Sequence, residues 1–427
     1  GRPDDPAEAV GAAGMKTAVI IPGCLSGSIT PPPSKSQAHR LLIAAALSGG
    51  ISTLSNVAFS QDIAATRDCL SAMGASFVEK ESGVLEVHGL GWSIPQAGPY
   101  PYFDCGESGS TLRFLIPVAL AVHGGGAFTG HGRLMERPQE PYFRIFEQQG
   151  ISYEQKDGVL RVEGTLTAGV YELPGDVSSQ FVTGLLYTLP LLEGESDIVL
   201  TSPLESGDYV TMTLQALEQY GVKVETTERG WHIPGDQHYK SVDAAVEADW
   251  SNAAFWYAAA SLGCELDIQG LNAFSVQGDM RIVPYFLKLQ EEGAVELDVS
   301  QCPDLVPPLA AMAALRAGRK TSIVNAGRLR IKESDRLATV TEVLAALGAE
   351  IEEGPDYLVI EGREKLPGGV TVSGHNDHRI AMMAAIAAIR CEKPVTITGA
   401  DCVKKSYPDF WRDYQALGGQ VTLEETV

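Results

Sequence analysis

The chain has 427 residues, 44% apolar and 20% charged, which suits two or three domains with sizeable cores and excludes a disordered chain. A formal net charge of −22 argues against a nucleic-acid partner, because a phosphate backbone needs a basic surface. The seven cysteines form no C-x-x-C pair, which fits free thiols in a reducing, cytoplasmic setting, and no apolar run approaches the roughly 18 residues of a membrane span.

Residues 1–14 are small and polar without an apolar stretch, so they are read as a cloning scar or flexible leader rather than a signal peptide. From Met15 a strand is expected over Lys16 to Pro22. Pro31 to Pro33 stop any helix. Ser34 can then cap a helix predicted to run through Leu41 to about Leu47.

The remaining elements form a repeat. Six times an amphipathic helix ends in a glycine and an alternating strand follows, at Gly74, Gly150, Gly221, Gly293, Gly348 and Gly418. Successive spacings are 76, 71, 72, 55 and 70 residues. In the second unit Ile151 to Tyr153, a Lys156-Asp157-Gly158 turn and Val159 to Val162 make a hairpin. In the fifth, Val340, Val343, Leu344 and Leu347 share one helical face. Gly348 takes the left-handed cap, and strands follow on both sides of Gly354-Pro355-Asp356. The sixth has only Gln420 to Leu423, so Thr17 to Ile21 is expected to complete it, with both termini in one domain.

Cations and small residues coincide in a few segments. Ser34-Lys35-Ser36 through Arg40 puts a lysine and hydroxyls at a helix start, where backbone N–H groups favour phosphate or carboxylate. Cys105-Gly106-Glu107-Ser108-Gly109-Ser110-Thr111-Leu112-Arg113 lets the backbone approach a ligand closely, but lacks the Gly-Lys-Ser/Thr of a nucleotide P-loop. Thr129 through Pro138 carries Arg133. Arg328 through Arg336 alternates charge, and its bland reading is a solvated face worth about 0–1 kcal/mol per pair. Asn376-Asp377-His378-Arg379, Lys404-Lys405, Ser178-Ser179-Gln180 and the isolated Asp304 complete the set. With only 32 Lys and Arg against 54 Asp and Glu, this placement of cations suits anionic ligands.

From Met15 onward, these segments in this order resemble the enolpyruvyl transferase family, in its shikimate branch. The resemblance implies an α/β fold, a two-domain inside-out α/β barrel of six βαβαββ units, three per domain. The domains expected are 15–33 with 248–427, and an inserted 34–247, with the active site in the cleft between them. The implied reaction moves the enolpyruvyl group of phosphoenolpyruvate to the 5-hydroxyl of shikimate 3-phosphate and releases phosphate, with no metal or organic cofactor. The implied setting is cytoplasmic, with small-molecule substrates only, no nucleic acid or membrane, and a monomer.

Carried over by motif, Lys35, Ser36, Arg40, Ser178, Ser179, Gln180, Ser202, Asp304 and Lys332 are expected to hold shikimate 3-phosphate. Lys35, Gly109, Arg133, Gln180, Arg336, Arg379 and Lys405 are expected to hold phosphoenolpyruvate. The acid–base groups implied are Asp304 as base and Glu333 as acid, with Lys35 and His378 nearby. Arg113 is expected to support the glycine loop. Glu107, Ser110, Phe114 and Arg328 depart from the family's common residues, which bears on affinity and on sensitivity to the inhibitor glyphosate. The family's other branch, which uses UDP-N-acetylglucosamine, carries a reactive cysteine in the loop matching Gly130 to Pro138, where this chain has none. A non-catalytic repeat protein is the more distant alternative.

Overall fold

A computed structural model describes residues 16–91 and 99–425, so the reading of 1–14 as a leader lies outside the described residues. The chain divides into two compact units. One holds the described residues up to Pro32 together with those from Ala248 onward; the other is Pro33–Glu247.

The Pro33–Glu247 unit contains three four-stranded sheets of one design. In the second, Tyr102–Asp104 runs parallel to Gly125–Thr129, and an antiparallel hairpin of Ser152–Lys156 and Val159–Glu163 completes the sheet. A parallel pair needs a crossover, here the helix Gly109–His123. The hairpin turns at Asp157 and Gly158, both at positive φ (54° and 74°), the geometry of a tight primed turn. The third sheet repeats this order with Val170–Leu173, Ser196–Leu200, Gly230–Ile233 and Glu225–Thr227. In the first, the short strand Ala244–Ala245 supplies the parallel partner of Ile51–Ser55.

The other unit has two sheets of the same design, a reduced third, and a short parallel pair of Leu366–Gly368 with Cys391–Lys393. One runs Val295–Asp298, Lys320–Val324, Leu358–Glu361, Glu350–Glu353. The second is completed from the far end of the chain: Lys16–Ile21 lies between Val395–Thr398 and Gln420–Glu425, paired from Lys16↔Glu425 to Ile21↔Gln420. The third module keeps only the parallel pair Ser26–Ile29 and Glu265–Ile268. The strand after Gly293, Val295–Asp298, pairs in parallel with Lys320–Val324 and so opens the next module instead of returning as a hairpin. That missing hairpin accounts for the short spacing of 55 residues. All six repeat glycines have positive φ, from 69° to 124°, as the helix-ending role requires.

Each unit is built on helices that are apolar all round, the pattern of a buried helix. In one these are Lys35–Ala46, Gly109–His123 and Ser179–Thr188; in the other Trp250–Ser261, Val306–Ala314 and His378–Ala388. The alanines of His378–Ala388 let neighbouring helices approach, while Met382, Met383 and Ile386 are fully buried. Truncating Met383 to alanine would cost about 2–5 kcal/mol. Five of these six helices start on a capping side chain: Ser34, Ser108, Ser178, Asp249 and Asp377 each accept a backbone N–H. No helix among the described residues is long and apolar enough to cross a membrane.

Candidate active site

The sequence candidates gather at the N-terminal ends of these buried helices, where orphan backbone N–H groups favour anions. In the Pro33–Glu247 unit, the helix start after Ser34 presents Lys35 and Ser36. Lys35 is exposed, and its ammonium pairs with Asp62 at 3.3 Å. Arg40, one turn on, is only 3% exposed. Its Nε donates to Thr213 Oγ1 at 2.9 Å and its Nη1 to the Ser36 carbonyl at 3.0 Å. The rings of Phe114 and Tyr209 cover it at 5.0 and 5.7 Å. Arg40 is therefore locked and supports the Lys35–Ser36 turn.

Behind the same helix, His39 Nδ1 lies 2.8 Å from Thr66 Oγ1, within a buried run of hydroxyls through Thr111 and Ser108. Burial, then the neighbouring Arg40 and Lys35, pushes the His39 pKa down to about 3. It is neutral at pH 7.

Gln180 ties two helix starts together. Its Nε2 donates to Ser110 Oγ at 3.0 Å, and its Oε1 accepts from Arg113 Nη1 at 3.1 Å. Arg113 also donates to the Pro138 carbonyl at 2.9 Å and stacks over Phe181 at 4.5 Å. It thus links the start of the helix Ser179–Thr188 to the end of the Thr129–Pro138 segment. Ser178 caps the helix Ser179–Thr188. Ser202, after a neighbouring strand, reaches the loop before that helix: its Oγ accepts from Gly175 N–H at 2.8 Å and lies 3.3 Å from Asp176.

The Thr129–Pro138 segment supplies a residue that the motif reading left unassigned. Arg137 Nη1 lies 2.1 Å from where a Cβ on Gly109 would sit, so Gly109 is a glycine because this guanidinium crosses its backbone. Arg133 is exposed at the start of the short 3₁₀ turn Leu134–Glu136. The Glu107 carboxylate lies over Gly132, 2.4 Å from the place of an added Cβ. Only proximity in space distinguishes Arg137 from Arg133.

In the other unit, Asp304 stands at the start of the helix Val306–Ala314, among three cations. Arg336 Nη1 is 3.0 Å away, Lys332 Nζ 3.5 Å and Arg379 Nη2 4.0 Å. Burial alone would raise the Asp304 pKa, but Arg379, Lys332 and Arg336 outweigh it and hold the carboxyl well below the usual range. Asp304 is ionised at neutral pH.

Arg336 is 1% exposed and reads as the hub. It bonds Asp304, Glu333 at 2.6 Å and both oxygens of Asp377, at 2.9 and 3.2 Å. Ser334 donates to Asp377 at 2.8 Å. The bland reading of the Arg328–Arg336 run therefore holds for part of it only. Arg330 makes surface pairs with Asp335 and Glu353, whereas Arg336 turns inward.

His378 and Arg379 follow the Asp377 cap. Burial, then Arg379 and Arg336, pushes the His378 pKa down to about 3, so its imidazole is neutral. Arg379 is 8% exposed, and its Nη1 is buried with no hydrogen-bond partner among the described residues. Lys405 is exposed and donates to the Asn376 carbonyl.

Two further acids face Arg379 that the motifs did not reveal, Asp249 and Asp279. Burial raises both pKa values, Asp279 to about 6 with Asp304 adding to the effect. Asp279 accepts from Ser251 Oγ at 2.5 Å. Asp249 caps the helix Trp250–Ser261 by accepting from the Asn252 N–H, and nothing in sequence places Asp279 beside it.

Helix starts armed with Lys, Arg and Ser, and a carboxylate kept ionised among cations, define an enzyme acting on small anions. The EPSP synthase from Acinetobacter baumannii shares the fold, with a TM-score of 0.84 at 24% identity over 96% of this chain and 100% of that one. The architecture is thus the two-unit α/β fold of the enolpyruvyl transferases.

Residues 19–414 match the family EPSP synthase (3-phosphoshikimate 1-carboxyvinyltransferase), and the chain belongs to that family. The 3-phosphoshikimate 1-carboxyvinyltransferase of Clostridium beijerinckii is 45% identical over 425 residues, 94% of this chain and 97% of that protein. The enzyme of the same name from Clostridium kluyveri is 46% identical over 426 residues, 95% and 98%. The chain is an enzyme of aromatic amino-acid biosynthesis, and the sugar-nucleotide alternative is not favoured.

Proposed function

We propose that the chain transfers the enolpyruvyl group of phosphoenolpyruvate to the 5-hydroxyl of shikimate 3-phosphate, with the residues above in the following roles. The observation that carries the role assignment is Arg379. A guanidinium with a buried, unpartnered Nη1 beside an ionised Asp304 is built to receive an anionic oxygen.

Lys35, Ser36, Arg40, Ser178, Ser179, Gln180, Ser202, Asp304 and Lys332 hold shikimate 3-phosphate, and Lys35, Gly109, Arg133, Gln180, Arg336, Arg379 and Lys405 hold phosphoenolpyruvate. Arg40 works largely by fixing the Ser36 backbone carbonyl, and Gln180 by holding the Ser110 hydroxyl. Arg137 joins the phosphoenolpyruvate set through its crossing of Gly109.

In the addition step, the 5-oxygen bonds to C2 of phosphoenolpyruvate. Asp304 takes the hydroxyl proton, and Glu333 or Lys35 delivers a proton to the methylene carbon. In the elimination step these transfers reverse: the group that gave up its proton, Glu333 or Lys35, takes one back from the new methyl group, the C–O bond to phosphate breaks, and phosphate departs with the proton held by Asp304. Arg336, Arg379, Lys332 and Lys405 offset the charge that develops on the carboxylate and phosphate. His378 contributes as a neutral hydrogen-bonding group and not as an imidazolium acid, because it is uncharged above about pH 3.

The enzyme works as a monomer in the cytoplasm; its seven unpaired thiols support a reducing compartment. The test is phosphate release with phosphoenolpyruvate and shikimate 3-phosphate, compared with UDP-N-acetylglucosamine as acceptor. Release only with the sugar nucleotide overturns the assignment.

A further inference from the structure

Two thiols meet where the strands Ser26–Ile29 and Glu265–Ile268 begin. These strands pair in parallel with Ser26 opposite Glu265, so Cys24 and Cys264 sit just before the ribbon on neighbouring chains. The Leu25 N–H donates to Cys264 Sγ at 3.2 Å, and the Cys24 thiol is near enough to disfavour ionisation of Cys264. The Leu25 nitrogen is two bonds from the Cys24 Cα, about 2.4 Å, so the 3.2 Å contact places the Cys264 sulfur within about 5.6 Å of that Cα, a gap that rotation of the exposed Cys24 side chain can close. Cys24 is exposed and Cys264 buried, whereas Cys69, Cys105, Cys302, Cys391 and Cys402 are all buried.

We propose that Cys24 and Cys264 form a reversible modification site, in which exposed Cys24 reacts with a small-molecule disulfide and buried Cys264 resolves the adduct. In the first step the Cys24 sulfur attacks the external disulfide. A mixed disulfide forms and one equivalent of small thiol leaves with the Cys24 proton. In the second, the Cys264 sulfur attacks the Cys24 sulfur and the second thiol leaves with the Cys264 proton. The protein pair is oxidised by two electrons and the external disulfide is reduced to two thiols.

The division of labour follows from exposure. Cys24 meets the oxidant; Cys264 is shielded, and burial pushes its thiol up to about 12, so it stays protonated until a leaving group is at hand. The Leu25 N–H steadies the sulfur as its proton departs. The outcome protects Cys24 from the irreversible rungs of thiol oxidation and staples Ser26–Ile29 to Glu265–Ile268. The other neighbouring pair, Cys69 and Cys105, lacks an exposed member and serves as an internal control.

The experiment incubates the folded protein with glutathione disulfide, blocks free thiols, and maps peptides by mass. The thiol count, measured in denaturant, is expected to fall by two from seven, with a Cys24–Cys264 cross-linked peptide, and dithiothreitol is expected to restore it. Cys264→Ser is expected to stop at a stable glutathione adduct on Cys24, and Cys24→Ser to lose no thiols. A wild-type protein that keeps glutathione on Cys24 with Cys264 still free, or a Cys24→Ser variant that oxidises as fast as wild type, overturns the proposal. The wild-type peptide map decides the matter even where a variant folds poorly.

Discussion

Arg336 and Asp377 face each other as a buried two-point pair, Nε and Nη2 of the guanidinium reaching the two carboxylate oxygens at 2.9 and 3.2 Å. Asp377 is fully buried and caps the helix that carries His378 and Arg379. The same arginine holds Asp304 and Glu333. One contact thus fixes both a helix start and the two carboxylates given acid–base roles.

Asp377→Ala leaves Arg336 with a buried charge and removes the cap. Breaking such a pair costs about 3–5 kcal/mol. Urea unfolding is expected to show a loss of that order, with a raised KM for phosphoenolpyruvate in the folded fraction. Wild-type stability and KM together would remove Arg336–Asp377 from its organising role.

Asp304→Asn keeps the shape of the side chain and removes the base. Turnover is expected to fall by at least about tenfold, general-base effects being typically 10²–10⁴-fold. Because three cations hold the Asp304 carboxyl ionised far into acid, the wild-type rate between pH 5 and 8 is not expected to follow its titration. A turnover close to wild type would take the base role away from Asp304.

Lys35→Met separates binding from stability. The Lys35–Asp62 pair is largely solvent-facing, with side chains 47% and 36% exposed, so its loss is expected to leave Tm within a few degrees. The Michaelis constants for both substrates are expected to rise. Unchanged constants, measured by steady-state phosphate release, would contradict a ligand role for Lys35.

The repeat was legible because its glycines are forced: a helix that ends in a left-handed turn selects Gly348 or Gly150 wherever it occurs. The reduced module was not legible. Val295–Asp298 reads as a strand after a helix in either role, and only its partner Lys320–Val324 decides which. Lys35, Asp304, Arg336 and Arg379 were visible as motif residues. Arg137 lay in the Thr129–Pro138 segment but its crossing of Gly109 is visible only in space, and Asp249 and Asp279 lie outside every motif, related to Arg379 by packing alone. The burial that keeps His378 and His39 neutral is equally a property of packing.

Those two histidines contribute to the loss of stability in acid. Both pKa values are lowered to about 3 in the folded state, against about 6.5 unfolded. Between those limits the unfolded chain binds more protons, so stability is full above about pH 6.5 and is lost as pH falls. At pH 4.5 each histidine accounts for roughly 2–3 kcal/mol of that loss. His39→Gln is expected to flatten the decline measured by urea unfolding at pH 7 and 4.5; an unchanged slope would show that His39 is protonated in the folded protein.

The central claim, enolpyruvyl transfer between two anionic substrates, is tested most directly by coupled phosphate release. With phosphoenolpyruvate and shikimate 3-phosphate, phosphate and a carboxyvinyl ether product are expected in equal amounts, with no release when UDP-N-acetylglucosamine replaces shikimate 3-phosphate. Turnover with the sugar nucleotide alone, or phosphate released without the ether, would contradict the account.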